Sequence, residues 1–479
     1  MNTVAISFIA FLLCFLGVGI YASTRKQSTT EDYLLASRSV NPWLMALSAV
    51  STNNSGFMFV GLIGSTFTEG FSSVWLMAAW VLGDYLGWLS GVPEKLRRRS
   101  EELGAVTIPS FLGKGLKDGR TVTIIGGLIT LIFLGIYAAA QLTAGSKALT
   151  ALFGWNHAVG AVIGAVIVMV YCFAGGIRAS IWTDAAQSVV MIVAMAMLFG
   201  VALAECGGFG AMISSLEAMD PNLVAIFPNN LEWGLGLFLL GWLAAGLGVV
   251  GQPHIMIRAM TLDDPDNTDK ARKIYIVWYV LFAAAAVGVG LAARALLPGG
   301  EGFDTELAMP MLAQELLPSV LVGFILAGLF AATMSTADSQ LLACSAAITQ
   351  DIFPQFAQNY RMVKMVTIGI TLGMLGVALS GGSVFGLVVL AWSSLASGLG
   401  PLLVVRAMGH DVSGKLGASM MLSGIIAVLI WRYGLGFSGA MYDVLPGMAT
   451  GFAVYAAGRV LLGEATEVIE TAKEAKSSQ

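Results

Sequence analysis

Apolar stretches of about 20 residues recur so closely along this chain that little room is left between them for anything but connectors. A helix crossing hydrocarbon needs about 20 mostly apolar residues. That template can be placed thirteen times, at roughly 3–22, 43–68, 73–93, 122–146, 157–174, 182–205, 232–255, 274–296, 312–345, 364–381, 384–406, 414–433 and 440–462. Hydrophobic residues are 57% of the 479 and charged residues 11%, so the expected class is an all-α polytopic membrane protein, and a count of water-soluble domains from length does not apply.

Basic residues test the span count, because Lys and Arg beside spans collect on the cytoplasmic side. With the N-terminus outside, 22 of the 25 fall in inner loops, including the Lys95 to Arg99 cluster, Arg178, Arg258 and Arg406. The three others, Lys147, Arg294 and Arg432, lie near span ends, where they can snorkel. The partition predicts thirteen spans with the C-terminus inside. The first span lacks the basic start of a secretory signal and is read as retained. Cys14, Cys172, Cys206 and Cys344 have spacings of neither a disulfide framework nor a zinc site and are read as small core residues. Outer segments 206–231 and 297–311 are acidic and read as solvated connectors or short lids, while the tail 463–479 is polar and helix-prone.

Ser48 to Gly56, in the middle of span 2, holds two amides, four hydroxyls and a glycine. Non-helical backbone at membrane depth is tolerated only where protein or a cavity satisfies its polar groups. The run therefore predicts a helix broken around a ligand, against the alternative of interhelical polar glue. Span 7 carries a second candidate break, where Gly241, Gly246, Gly248 and Gly251 precede Gln252-Pro253-His254. Transporters built from inverted repeats place broken helices at corresponding positions in the two halves. Five spans separate these two, giving repeats at 43–206 and 232–407. Around them lie an N-terminal helix and loop (1–42), an outer loop (207–231), two further helices (408–462) and the tail (463–479).

A third polar run, Ala331 to Gln340, lies in span 9, with Ser335, Thr336, Asp338 and Ser339 on neighbouring faces. A bare Na+ exchanges its hydration oxygens for about five or six protein oxygens, which hydroxyls and uncoiled carbonyls provide. Each hydroxyl can instead bond back to its own helix. A mid-membrane carboxylate is costly unless paired, protonated or ion-bound, which singles out Asp338, Asp184 and Asp84. The alternative readings make Asp184 a helix cap and Asp84 a structural hydrogen-bond acceptor.

These stretches, with Tyr171 to Gly176 followed by Trp182-Thr183-Asp184 and Gln187, and Met334 through Asp351, resemble the sodium/solute symporter family, nearest its sodium/proline branch. Glu31-Asp32-Tyr33 and Thr107-Ile108-Pro109 agree, and the resemblance runs from about 5 to 460. It implies the leucine-transporter fold, alternating access, and Na+-driven solute uptake across a bacterial plasma (inner) membrane. Carried over by position, Na+ would lie on backbone oxygens of Ser51, Asn54 and Ala332 and hydroxyls of Ser335 and Thr336. A second cation or a proton would lie near Asp184, Ser335, Asp338 and Ser339. Substrate would lie on Asn53, Ser55, Gly56, Phe57, Trp80, Tyr137, Trp242 and Gln252. Proline carriers have an aspartate where this chain has Asn53, a tryptophan at Phe57 and aromatics near Ala245 and Val249. Either the displaced acid has its counterpart in Asp338, or Asp338 takes a proton and makes coupling partly H+-dependent.

With no Lys or Arg expected at the midplane, a small zwitterionic amino acid fits best, followed by a neutral polar solute or monocarboxylate. Expected partners are the solute, Na+ and the lipid bilayer, with no nucleic acid and no obligate protein partner. An intramembrane aspartyl enzyme would need two facing carboxylates, and Gly83-Asp84 matches only a fragment of the Gly-x-Gly-Asp pattern of such proteases; His and Cys clusters for metal or nucleophile chemistry are absent from the sequence. A transporter-like sensor would need a separate partner.

Overall fold

The computed structural model describes residues 3–24, 29–172, 176–228, 231–299, 302–357 and 359–461. Arg25, Lys26, the centre of the 171–176 motif, Glu301 and the tail fall outside them, as does the side chain of Cys172. The described chain is helical, and its one β-contact is an isolated bridge between Val40 and Leu262. Among the described residues, ten helices are long and apolar enough to cross a membrane. Three further apolar segments fall short of that length: the interrupted Pro42–Glu69, the 17-residue Ser73–Leu89 and the 16-residue His157–Cys172.

Pro42–Asn53 starts where the Asn41 side chain accepts from Trp43 N and Leu44 N, both at 3.0 Å, with Pro42 in the first turn. It ends at Asn54 (φ −88°, ψ 68°), and the chain resumes as a π-turn, Phe57–Gly61, running into Leu62–Glu69. The second interruption follows Gly234–Leu247: a tight turn, Gly248–Gly251, leads to extended Gln252, and Pro253 opens the helix Pro253–Thr261. Both breaks fall in the stretches where the sequence places them.

Ser319–Ala346 and Val384–Ala407 form the enclosed centre, whereas Thr3–Ser23 lies at the periphery, its Phe8 ring 4.8 Å from Phe330. Ser73–Leu89 and Gly234–Leu247 touch backbone to backbone. A Cβ on Gly83 would collide with Leu243 O, and one on Gly246 with Trp80 O.

Several expectations are corrected. Span 9 does not begin at 312 as one helix: Ala308–Leu316 stops at Leu317, and Pro318 caps Ser319–Ala346, since a proline cannot continue the helix without losing a hydrogen bond. Segment 206–231 contains the helix Phe209–Met219. In segment 297–311, Glu306 is buried rather than solvated. It accepts from Val384 N and Phe385 N, each at 3.0 Å, and pairs with Lys147 at 2.9 Å. Cys14 is exposed rather than core, since it sits on the mostly exposed, peripheral first helix, whereas Cys344 is buried. At the basic end of the bundle, Arg38 donates to Ser100 Oγ, Met260 O and Ala105 O, and Arg97 to Leu262 O, fastening connectors to one another.

Candidate functional site

The first break faces Ser319–Ala346. Ser51 Oγ lies 2.9 Å from Ser335 Oγ, and Thr336 Oγ1 donates to Thr52 O at 3.0 Å. Asn54 and Ala332 lie one turn along the same two elements, both fully buried. Asn54 Nδ2 returns to Val50 O at 2.9 Å, which leaves Asn54 Oδ1 buried with no partner among the described residues. The five residues expected to hold Na+ thus lie along one seam, lined by neutral oxygens of the kind a monovalent cation takes in exchange for water. Gly56 allows the close approach: a Cβ there would stand 2.7 Å from Thr333 Cγ2 and 2.9 Å from Ala144 Cβ. Its freed N–H donates to Gln141 Oε1 at 2.9 Å.

Beside that seam, Asp184 Oδ2 accepts from Ser48 Oγ at 2.6 Å, from Arg258 Nη2 at 3.2 Å and from Thr52 Oγ1 at 3.5 Å. Arg258 also donates to Ser339 Oγ, to Ser48 Oγ at 3.2 Å and to His254 O at 2.5 Å. This corrects two expectations. Asp184 does not cap its helix, because Gly176–Glu205 begins two turns earlier. Arg258 is not in an inner loop: the second broken helix continues to Thr261 and carries the guanidinium inside, where Asp184 neutralises it. A positive charge therefore stands among the oxygens expected for a second cation. Ser339 also bonds back to Ser335 O at 2.6 Å, and Asp338 is buried beside it in sequence.

The expected substrate residues do not all meet in one cluster. Phe57, Trp80 and Trp242 form one aromatic cluster, with centroids 5.7 Å apart for Phe57–Trp80 and 5.5 Å for the stacked Trp80–Trp242. Ser55 Oγ lies 3.3 Å from Tyr137 Oη, beside Gly56, and Gln252 Nε2 donates to Trp392 O at 3.1 Å. Asn53 is engaged elsewhere: its Nδ2 donates to Asp84 Oδ2 at 3.0 Å and to Tyr275 Oη at 2.5 Å. The carboxylate touching Asn53 belongs to Asp84.

Sequence reasoning missed Thr52, Gln141 and Arg258, and the aromatics Phe385, Trp392 and Tyr442. Thr52 lay inside the polar run and Gln141 was a lone amide in an apolar span, so both carried a signal. Phe385 lies 5.4 Å from Phe57, Trp392 5.2 Å from Trp80 and Tyr442 4.6 Å from Trp242. In sequence nothing separates them from aromatics that face lipid.

The sequence profile of the Sodium:solute symporter family matches residues 33–425. A sodium/proline symporter of Escherichia coli (strain K12) is 30% identical over 462 residues, covering 93% of this chain and 90% of the relative. A high-affinity proline transporter of Bacillus subtilis (strain 168) is 30% identical, covering 90% and 92%, and a sodium/proline symporter of Staphylococcus aureus (strain USA300) is 31% identical, covering 88% and 84%. Among solved structures, a Na+-coupled sialic acid symporter superposes with a TM-score of 0.75 at 20% identity, covering 95% of this chain and 98% of that one. The nucleobase-cation-symport-1 family transporter Mhp1 superposes with a TM-score of 0.57 at 16% identity, covering 89% and 94%. Both likenesses place the fold among transporters of the leucine-transporter type.

Proposed function

The chain belongs to the sodium:solute symporter family, and on that premise we propose that it takes up a small amino acid, proline first among the candidates, together with Na+ by alternating access. As a member of that family it is a transporter rather than an enzyme, an integral protein of the bacterial plasma (inner) membrane working on Na+-coupled solute transport. The proline reading draws on relatives that carry proline. The architecture we assign counts Pro42–Glu69, Ser73–Leu89 and His157–Cys172 as crossings with the ten long helices. That makes thirteen, with two inverted five-helix repeats, the N-terminus outside and the C-terminus inside.

The observation that carries the reading is the pair of contacts from the first break to the ninth span, Ser51 to Ser335 and Thr336 to Thr52 O. A Na+ accepted by Ser51, Asn54, Ala332, Ser335 and Thr336 would draw the broken helix against that span. It would also fix Ser55, Gly56 and Phe57, where solute binds against Trp80, Tyr137 and Trp242. The ion then favours the solute-competent arrangement and raises solute affinity, and the solute raises ion affinity by the same factor. Arg258 takes up the charge of Asp184 beside Ser339, so one Na+ per cycle is the expected stoichiometry.

The test is uptake of radiolabelled proline into proteoliposomes under an inward Na+ gradient, an H+ gradient or neither, with unlabelled amino acids and small carboxylates as competitors. Accumulation driven by Na+ supports the reading. Na+-dependent uptake of another solute in place of proline keeps the coupling and replaces the substrate, and uptake under an H+ gradient alone overturns Na+ as the driving ion.

A further inference from the structure

Asp84 is a buried acid that the Na+ and solute contacts above leave unused, and its neighbours come from the first broken helix and Thr268–Leu296. It lies in Ser73–Leu89, one turn beyond Trp80, and its side chain is fully buried. Oδ2 accepts from Asn53 Nδ2 at 3.0 Å and from Tyr275 Oη at 3.1 Å. Oδ1 is buried with no hydrogen-bond partner among the described residues, and no ion pair reaches either oxygen.

The groups facing it are few. Tyr275 and Tyr279 approach from Thr268–Leu296. Pro42–Asn53, Gly234–Leu247 and Gly248–Gly251 carry no titratable side chain. Arg272, one turn before Tyr275, is engaged by Asp269 and lies over the Tyr85 ring at 5.6 Å. In the following helix Val92–Glu102, Arg97 is held by Leu262 O and Glu101. The acid thus sits in the bundle interior among neutral partners, with one of its two oxygens lacking any hydrogen-bond partner among the described residues, where an ionised carboxylate is strongly disfavoured. A metal cation fits poorly, because both neighbours turn hydrogens rather than lone pairs toward it.

We propose that Asp84, held by Asn53 and Tyr275, is a proton-binding site of the transport cycle, protonated at Oδ1 while Ser73–Leu89 and the first broken helix are in contact and releasing the proton when they part. No bond other than O–H forms or breaks: the proton comes from water and returns to it. Asn53 makes this possible, since its amide donates to the acid, whereas an aspartate at that position would place two carboxyls in contact. The proposal rests on the carrier reading above and goes beyond it by adding a proton step at Asp84.

Two measurements on the purified full-length protein test it. Infrared spectra in H2O and D2O should show a protonated-carboxyl C=O band, shifted by deuteration, that is missing from Asp84→Asn and present in Asp338→Asn. In proteoliposomes, Na+-driven proline uptake by wild type should vary with pH, Asp84→Asn should flatten that profile, and Asp84→Glu should restore a titration at a displaced midpoint. A band that persists in Asp84→Asn, or pH profiles of Asp84→Asn and Asp84→Glu that both superimpose on wild type, overturns the proposal. If proline is not carried, the carrier reading loses its substrate while the infrared arm still decides Asp84. If Asp84→Asn does not fold, the band position and pH midpoint of Asp84→Glu decide it, unshifted values counting against.

Discussion

Arg258 Nη2 donates to Asp184 Oδ2 at 3.2 Å, with both side chains 1% exposed, so the second broken helix and Gly176–Glu205 are joined by an ion pair that water does not reach. Removing one partner of such a pair leaves an uncompensated buried charge, at a cost of about 3–5 kcal/mol. Arg258→Met and Asp184→Asn are each expected to lower thermal stability in detergent strongly, and the double variant by less than their sum. Additive losses would mean that the pair is not coupled. In wild type, stabilisation by Na+ should follow a single-site isotherm, whereas a second binding phase would contradict the role given to Arg258.

At the first break, Ser51 and Ser335 present hydroxyls 2.9 Å apart. Ser51→Ala and Ser335→Ala should each raise the Na+ concentration for half-maximal thermal stabilisation by about 10- to 100-fold, the equivalent of about 1–3 kcal/mol for a lost polar partner. Thr336→Val should do the same through the lost bond to Thr52 O. Na+ curves overlying wild type would remove these side chains from the ion site.

Gly56→Ala would drive a methyl to 2.7 Å from Thr333 Cγ2 and 2.9 Å from Ala144 Cβ, displacing the N–H that Gln141 receives. Overpacking of this kind costs about 1–3 kcal/mol. The expected result is loss of Na+-dependent uptake with the protein still folded, partly recovered in Gly56→Ala/Thr333→Ser. Full activity of the single variant would show that the break tolerates a side chain there.

On the connector helix Val92–Glu102, Arg97 donates to Glu101 at 2.6 Å, and this hydrogen bond holds the Glu101 carboxyl below its ordinary value. A depressed carboxyl stabilises the fold above its unfolded pKa and loses that contribution as pH falls through the folded value. Glu101 is 59% exposed, so the effect is small. A modest difference in melting temperature between wild type and Glu101→Gln near neutral pH should therefore close as the pH drops below about 4. A gap that widens in acid would reverse the sign.

Legibility from sequence followed the physical cost of each feature. Ser48 to Gly56 and Gly248 to Gln252 were legible because lipid penalises unpaired backbone, so a break must announce itself in polar or small residues. Ser335 and Thr336 were legible on the same ground. Arg258 was misplaced because hydropathy sees a basic residue after a proline-broken span and reads a loop. Its partner Asp184 lies 74 residues away, and no local pattern joins them. Asp84 is legible as an acid in an apolar span, but its meeting with Asn53 and Tyr275 joins positions 31 and 191 residues apart in sequence, which is a tertiary fact.

Trp80 stacks on Trp242 at 5.5 Å, Trp242 on Tyr442 at 4.6 Å, and Trp392 lies 5.2 Å from Trp80. These rings come from four different segments, two of which carry or adjoin a helix break. The chain therefore contains its own optical gauge. Excitonic coupling between indoles falls steeply with separation and orientation, so near-ultraviolet circular dichroism of the unlabelled protein reads the parting of these helices directly. The rings proposed to meet the solute are thus also the chromophores that would record its release.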